Sequence, residues 1–252
     1  MLLEGRNAIV YGGGGAIGGA VARAFAREGA HVFLAGRTPA KLDAVADDIR
    51  GAGGTADTAV LDALDAEQVA AHAAAVAAQA GSIDVTLNVI THGDVQGTPL
   101  VDMTAADVEQ PVVNGLRTNF LTAQAAARHM IPQGSGVILA FGGYGDPMPD
   151  FNLGGLQAGF QAIDALFRQF AAELGPHGIR VVTLQTAGVP ESIPDEYAEV
   201  RDTITEDTVR RTLVGRAATL ADVGNAAVFA ASDWARTMTA TSLNITCGTE
   251  IS

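Results

Sequence analysis

One doubly wound α/β domain, with a parallel sheet of about seven strands and helices on both faces, is the fold this sequence predicts. Three observations predict it. Short apolar runs alternate with helical three-four periodicities along the whole chain. The first apolar run stops at a cluster of four glycines, Gly12 to Gly15. No internal repeat or linker-like shift in composition divides the 252 residues, so a single domain over 1–252 is expected.

The elements follow in order. Ala8-Ile9-Val10-Tyr11 is the first strand, and Ile17, Val21, Ala24 and Phe25 mark a helix that Gly29 ends. His31 to Ala35 is a second strand, Pro39 to Arg50 a second helix and Thr58 to Leu61 a third strand. Asp65, with Gln68 three residues on, reads as a capping box opening an alanine-rich helix to Ala80. Ile83 to Ile90 and Val137 to Phe141 read as strands four and five. A helix from Val112 to Met130 lies between them, with Pro111 suited to its first position. Leu156, Phe160, Ile163, Phe167, Phe170 and Leu174 recur at helical spacing within a helix from Leu153 to Leu174. Ile179 to Leu184 and Leu243 to Cys247 complete the strands. The polar stretch 190–219, with Pro190 and Pro194, is expected to be a partly helical lid. The first half, to about residue 135, is expected to bind a nucleotide, and 136–252 to hold the substrate.

Charge and composition narrow the function. The formal net charge of −13 argues against nucleic acid, whose phosphates require a basic surface, and against anionic membranes. Apolar residues make up 48% of the chain, too many for disorder. No run approaches the roughly 20 apolar residues of a membrane span. One cysteine, Cys247, excludes an internal disulfide framework and a cysteine-rich zinc site. The five histidines lack metal-ligand spacing, so no metal is expected. Arg6 to Val10 runs directly into a strand, so no leader is expected and the reading is cytoplasmic. Of the fifteen basic residues, fourteen are arginine and Lys41 is the one lysine.

Open parallel sheets bind ligands at the carboxyl ends of their strands, and the first strand-helix turn is the usual phosphate cradle. Gly12 to Gly18 fits that role. Residues without a Cβ let backbone N–H groups approach a pyrophosphate, and the helix N-terminus adds a favourable dipole. The run permits more than one register, and Gly12, Gly14, Gly15, Ile17 and Gly18 are the cofactor-binding candidates. After strand two, Gly36-Arg37-Thr38 stands where an NAD site would carry an acid. Arg37 can hold a 2′-phosphate, which favours NADP(H). Asp62 with Ala63, after strand three, and Asn88, in strand four, are placed to meet adenine and ribose.

With these residues in view, the chain resembles the short-chain dehydrogenase/reductase family over nearly its whole length. Tyr11-Gly12-Gly13-Gly14-Gly15-Ala16-Ile17-Gly18 is similar to the family's Thr-Gly-x-x-x-Gly-x-Gly, with Ala16 in place of the middle glycine. Phe170 to Val181 resembles the segment entering strand six, and Ala231-Ser232-Asp233 with Thr239 resembles the approach to the last strand. Asn114 matches the helix asparagine that in the family helps hold a proton-relay water. The resemblance implies a Rossmann-type fold, a small-molecule substrate and a homo-oligomer, dimer or tetramer.

The family's catalytic positions differ here. Its serine falls on Gly143, and its tyrosine and lysine fall on Leu156 and Phe160. The tyrosine is the family's proton donor, and losing a general acid costs about 10²–10⁴ in rate. Tyr144 and His92 are the residues best placed to substitute, by location and by intrinsic pKa respectively. Asp146, Asn152, Gln157 and Gln185 are further polar candidates. Three readings follow: an NADP(H)-dependent oxidoreductase with a substituted site; a non-redox cyclase, isomerase or dehydratase using an apolar cleft; or a catalytically silent cofactor-binding or partner subunit.

Overall fold

A computed structural model describes residues 1–143 and 151–251. Seven parallel strands form one sheet in the order β3-β2-β1-β4-β5-β6-β7. They are β1 (Asn7–Tyr11), β2 (His31–Gly36), β3 (Thr55–Val60), β4 (Val85–Asn88), β5 (Gly136–Gly143), β6 (Ile179–Thr186) and β7 (Thr241–Asn244). The helices are α1 (Ala16–Arg27), α2 (Pro39–Gly51), α3 (Ala66–Ala80), α4 (Ala105–Gln133), α5 (Gly155–Leu174), α6 (Ala198–Arg211) and α7 (Leu220–Ala231).

The period-two alternation of β1 divides the core. Ala8 and Val10 face a cluster shared with α1, α2 and α7, while Ile9 and Tyr11 face one shared with α3, α4 and α5. Both faces of the sheet are therefore dry, as parallel strands require. Winding reverses between β1 and β4, which opens a crevice at their carboxyl ends.

Several boundaries differ from the sequence reading. β3 begins at Thr55, because it pairs with β2 from His31↔Thr55 to Gly36↔Val60. α4 begins seven residues before Val112, and Pro111 lies inside it. Thr104 caps it reciprocally: its Oγ1 accepts from the Asp107 amide (3.3 Å), and Asp107 accepts from the Thr104 amide (2.8 Å). A proline so near a helix start costs only the one bond that its amide would have made, to the carbonyl of half-buried Asp107. At the opening of α3, Asp65 caps as expected, but the Gln68 side chain donates to the Asp65 carboxylate (2.8 Å) rather than bonding the Asp65 amide.

β7 stops at Asn244, three residues before Cys247. Asn244 Oδ1 accepts from the Thr246 amide (3.0 Å) and hydroxyl (2.6 Å), and Cys247 and Gly248 turn the chain with positive φ. α7 was not predicted. Its signature is Thr219-x-x-Asp222, a capping box in the structure, with Arg216 also gripping Asp222. The region 190–219 contains short 3₁₀ turns at Pro190–Ser192 and Asp195–Tyr197 and then α6, so its expected partly helical character holds. Among the described residues, no helix is long and apolar enough to cross a membrane.

Candidate active site

Among the described residues, cavities open at the carboxyl ends of the strands, and two of them gather most of the expected site residues. The first, of about 340 Å³, lies over β1, β2, β3 and β4 and collects Gly12, Gly14, Gly15, Arg37, Thr38, Asp62, Ala63 and Asn114. Its floor depends on glycine. A Cβ on Gly12, which has φ +84°, would sit 2.9 Å from the Val89 carbonyl oxygen, and one on Gly18 would collide with the Gly12 carbonyl. Gly18 therefore lets α1 approach the turn, while Gly14 and Gly15 line the cavity. Ala16 is exposed and is not part of this lining, so its methyl group leaves the cradle open.

The N-termini of α1 and α2 belong to this cavity, through Gly15 and Thr38, and neither helix has an acidic residue in its first turn. Arg37 and Lys41 line the mouth. Neither forms an ion pair with any described residue, in a chain whose other side chains give a large acidic excess. Two unpaired cations beside two helix N-termini suit phosphate groups. Lys41 was missed as a site residue. Its signal was its place in the first turn of α2, four residues after Arg37.

The remaining nucleotide candidates are distributed differently. Asp62 accepts from the Leu64 amide through Oδ1 (3.0 Å), an Asx turn that presents the loop after β3. Asn88 is buried and does not line the cavity. It donates to Thr122 Oγ1 (3.1 Å) and accepts from the Ile90 amide (2.9 Å), holding the turn after β4 in shape. Ile17 points to the second cavity instead.

That second cavity, of about 330 Å³, lies between the ends of β5 and β6, α5 and α6. Gly143, Leu156 and Phe160 converge on it. Phe141, Phe151, Leu153, Val189 and Ile204 make the wall mainly apolar, and Gln157 is among its polar groups. Asp207 and Arg211 are its charged residues among those described, and they pair at 2.9 Å. Arg211 also lies over the Phe151 ring, 5.2 Å from the centroid.

His92 lines neither cavity. It is 93% buried behind Phe160, whose ring it meets edge-on at 5.7 Å. Burial pushes its pKa below the usual histidine value, although Asp94 pulls weakly the other way. The imidazole is therefore neutral at pH 7. Its Nδ1 has no hydrogen-bond partner and lies against Gly115. Asn114 and His92 are brought together, since Asn114 Nδ2 donates to the His92 carbonyl (3.1 Å). Gln185 is turned away and donates to Glu250 (2.7 Å), and Asn152 lines neither cavity. Tyr144 and Asp146 lie outside the described residues. No cluster of described residues has the make-up of a metal site.

Comparison with known proteins bears on the family and the fold. Residues 14–250 match the family model described as enoyl-(acyl carrier protein) reductase. The chain is 30% identical over 230 residues to gluconate 5-dehydrogenase of Gluconobacter oxydans, covering 91% of this chain and 89% of that one. It is 32% identical over 260 residues to L-rhamnose 1-dehydrogenase (NAD(P)(+)) of Azotobacter vinelandii, covering 98% of both. A crystal structure from Beutenbergia cavernae, described as an NAD(P)-dependent gluconate 5-dehydrogenase with NADP bound at low occupancy, superposes with a TM-score of 0.84. The identity there is 29%, over 97% of this chain and 96% of that one.

Proposed function

The chain belongs to the short-chain dehydrogenase/reductase family of oxidoreductases, and on that premise we propose that it binds NADP(H) and acts on a small organic molecule through a substituted active site. The observation that carries the cofactor reading is the unpaired Arg37 and Lys41 at the mouth of the glycine-lined cavity. The residues present fit the group: backbone amides of Gly12 to Gly15 and the start of α1 for the pyrophosphate, Arg37 and Lys41 with the start of α2 for the 2′-phosphate, and Asp62 with Ala63 beside the adenosine. When bound, the cofactor supplies or accepts a hydride.

The rest of the chemistry falls to the second cavity. Gly143, Leu156 and Phe160 provide shape there, and no hydroxyl or ammonium. Asp207 is engaged by Arg210 and Arg211 and faces those cations rather than an open reaction space. The apolar wall orients the substrate, an effect that acts through proximity rather than proton transfer. The proton comes from a substrate group or from a water admitted to the cavity. His92, neutral and behind Phe160, positions the ring and does not touch the substrate. Asn114 holds the loop after β4 through the His92 carbonyl. We also propose a homo-oligomer, supported by the exposed Val113, Phe120 and Ile131 on α4.

The test is an equilibrium titration of the purified protein with NADPH and NADH. Micromolar NADPH binding with weaker NADH binding supports the reading. No binding at saturating NADPH overturns it.

A further inference from the structure

Phe160 stands between two cavities. The apolar one just described and a second, polar one of about 440 Å³ share Gly143 and Phe160 as common wall. The polar compartment presents Gln161, Asp164, Arg168, Gln185 and Glu250 on the far side of the ring. Two features hold the ring there. A Cβ on Gly143 would fall within 2.7 Å of the Phe160 ring atom Cδ2, so only glycine leaves the ring its place. His92, itself nearly inaccessible, packs edge-on against the ring at an interplanar angle of 64°. On the apolar side, three of the nine phenylalanines, Phe141, Phe151 and Phe160, face one space. The cation there, Arg211, is already engaged by Asp207 and stacked on Phe151, which leaves no unpaired cation among the described residues for a carboxylate.

We propose that Phe160 sets the substrate class of this site: its ring closes the apolar cavity at the rear and restricts it to an uncharged molecule with an aromatic or alicyclic body. The proposal rests on the reading of this cavity as the substrate site. Desolvating a carboxylate against this wall is unfavourable, whereas a flat hydrocarbon body gains contact with three rings. Removing the ring joins the two compartments, takes away one of the three aromatic contacts and opens the cavity to the water and polar side chains of the rear, where Arg168 is already paired with Asp164, so the hydrocarbon body loses its advantage over the carboxylate.

The test uses a matched pair of probes, 2-acetylnaphthalene and 2-naphthoate, with gluconate as a polar third. Binding is measured by calorimetry with and without saturating NADPH. The wild type is expected to bind the neutral ketone at least about tenfold more tightly than the naphthoate, with gluconate failing to compete. Phe160→Ala is expected to bring that ratio towards unity, while Phe160→Leu, which keeps an apolar wall, retains it. Thermal melts confirm that each variant is folded, and Leu156→Arg, on the apolar wall alone, is expected to abolish ketone binding while leaving NADPH binding intact. Equal or tighter binding of the naphthoate to wild type, an unchanged ratio in Phe160→Ala, or no binding of any probe in either condition overturns the proposal. NADPH titration of the same samples separates the two readings. Ketone selectivity without NADPH binding overturns the cofactor reading alone, and NADPH binding without selectivity overturns the substrate class alone.

Discussion

The Phe160 ring occupies the space that a side chain on Gly143 would need: a Cβ there would lie 2.7 Å from Cδ2 and 3.2 Å from Cζ of the ring. The two residues, on β5 and α5, are thus complementary, one lacking a side chain where the other is bulky. Neither is independent of the other.

That dependence is measurable. Gly143→Ala is expected to destabilise the fold by about 1–3 kcal/mol through overpacking. Combined with Phe160→Ala, the same change is expected to cost less than the sum of the two single changes, by about 1 kcal/mol or more. Urea denaturation of the four proteins in the cycle gives the coupling, and strict additivity would show that the ring moves aside freely.

Arg37→Ala and Lys41→Ala are each expected to weaken NADPH binding by about tenfold, the loss of one charge-assisted contact. NADH binding is expected to change little if, as proposed, both residues serve the 2′-phosphate. Tryptophan-independent calorimetric titration reads the difference. Equal losses for both nucleotides would place these cations at the pyrophosphate instead.

Rebuilding the family pattern with Gly143→Ser, Leu156→Tyr and Phe160→Lys together is expected to raise NADPH-dependent ketone reduction by about 10² or more, the contribution of a positioned general acid. The triple variant avoids the clash at Gly143 because the ring leaves with it. Steady-state kcat/KM on a ketone panel is the readout, and an unchanged rate in a folded variant would mean that the native site already has a competent proton donor.

His72 on α3 gives the stability a pH dependence. Burial pushes its pKa down to about 4, and it meets the Tyr11 ring edge-on at 5.8 Å. The unfolded chain binds this proton near pH 6.5 and the folded chain only near 4. Stability is therefore lost as pH falls through that window, by roughly 2–3 kcal/mol at its acid end, and is fully present above it. His92 shifts in the same direction, so His72→Gln is expected to flatten part of the slope. Urea midpoints at pH 7 and pH 4.5 for wild type and variant provide the comparison, and parallel losses would assign the slope elsewhere.

Local signals were legible where the chain's own spacing carried the physics. The alternation of β1, the glycine turn and the stripe of α5 all specify their elements through neighbours a few residues away. The boundaries that moved depend on partners distant in sequence. β3 is extended to Thr55 by its pairing with His31, and β7 is cut short at Asn244 by a turn whose geometry lies beyond the apolar run. α7 had a readable cap in Thr219 and Asp222, but a small-residue helix such as this has a weak apolar stripe. Its closeness to α1 comes from Gly224 against Ala20 and Ala24.

By itself, the sequence determined the fold class, the glycine-rich turn after the first strand, the basic residue after the second strand and the apolar or small residue types at Gly143, Leu156 and Phe160. These are properties of residue type and short spacing. Only the tertiary structure decided that Lys41 joins Arg37 at the glycine-lined cavity, that Asn88 and His92 turn inward, and that the Phe160 ring fills the room beside Gly143 and stands between an apolar cavity and a polar one. Those outcomes depend on which side chains from separate strands and helices compete for one volume, and close packing settles that competition only when all of them are in place.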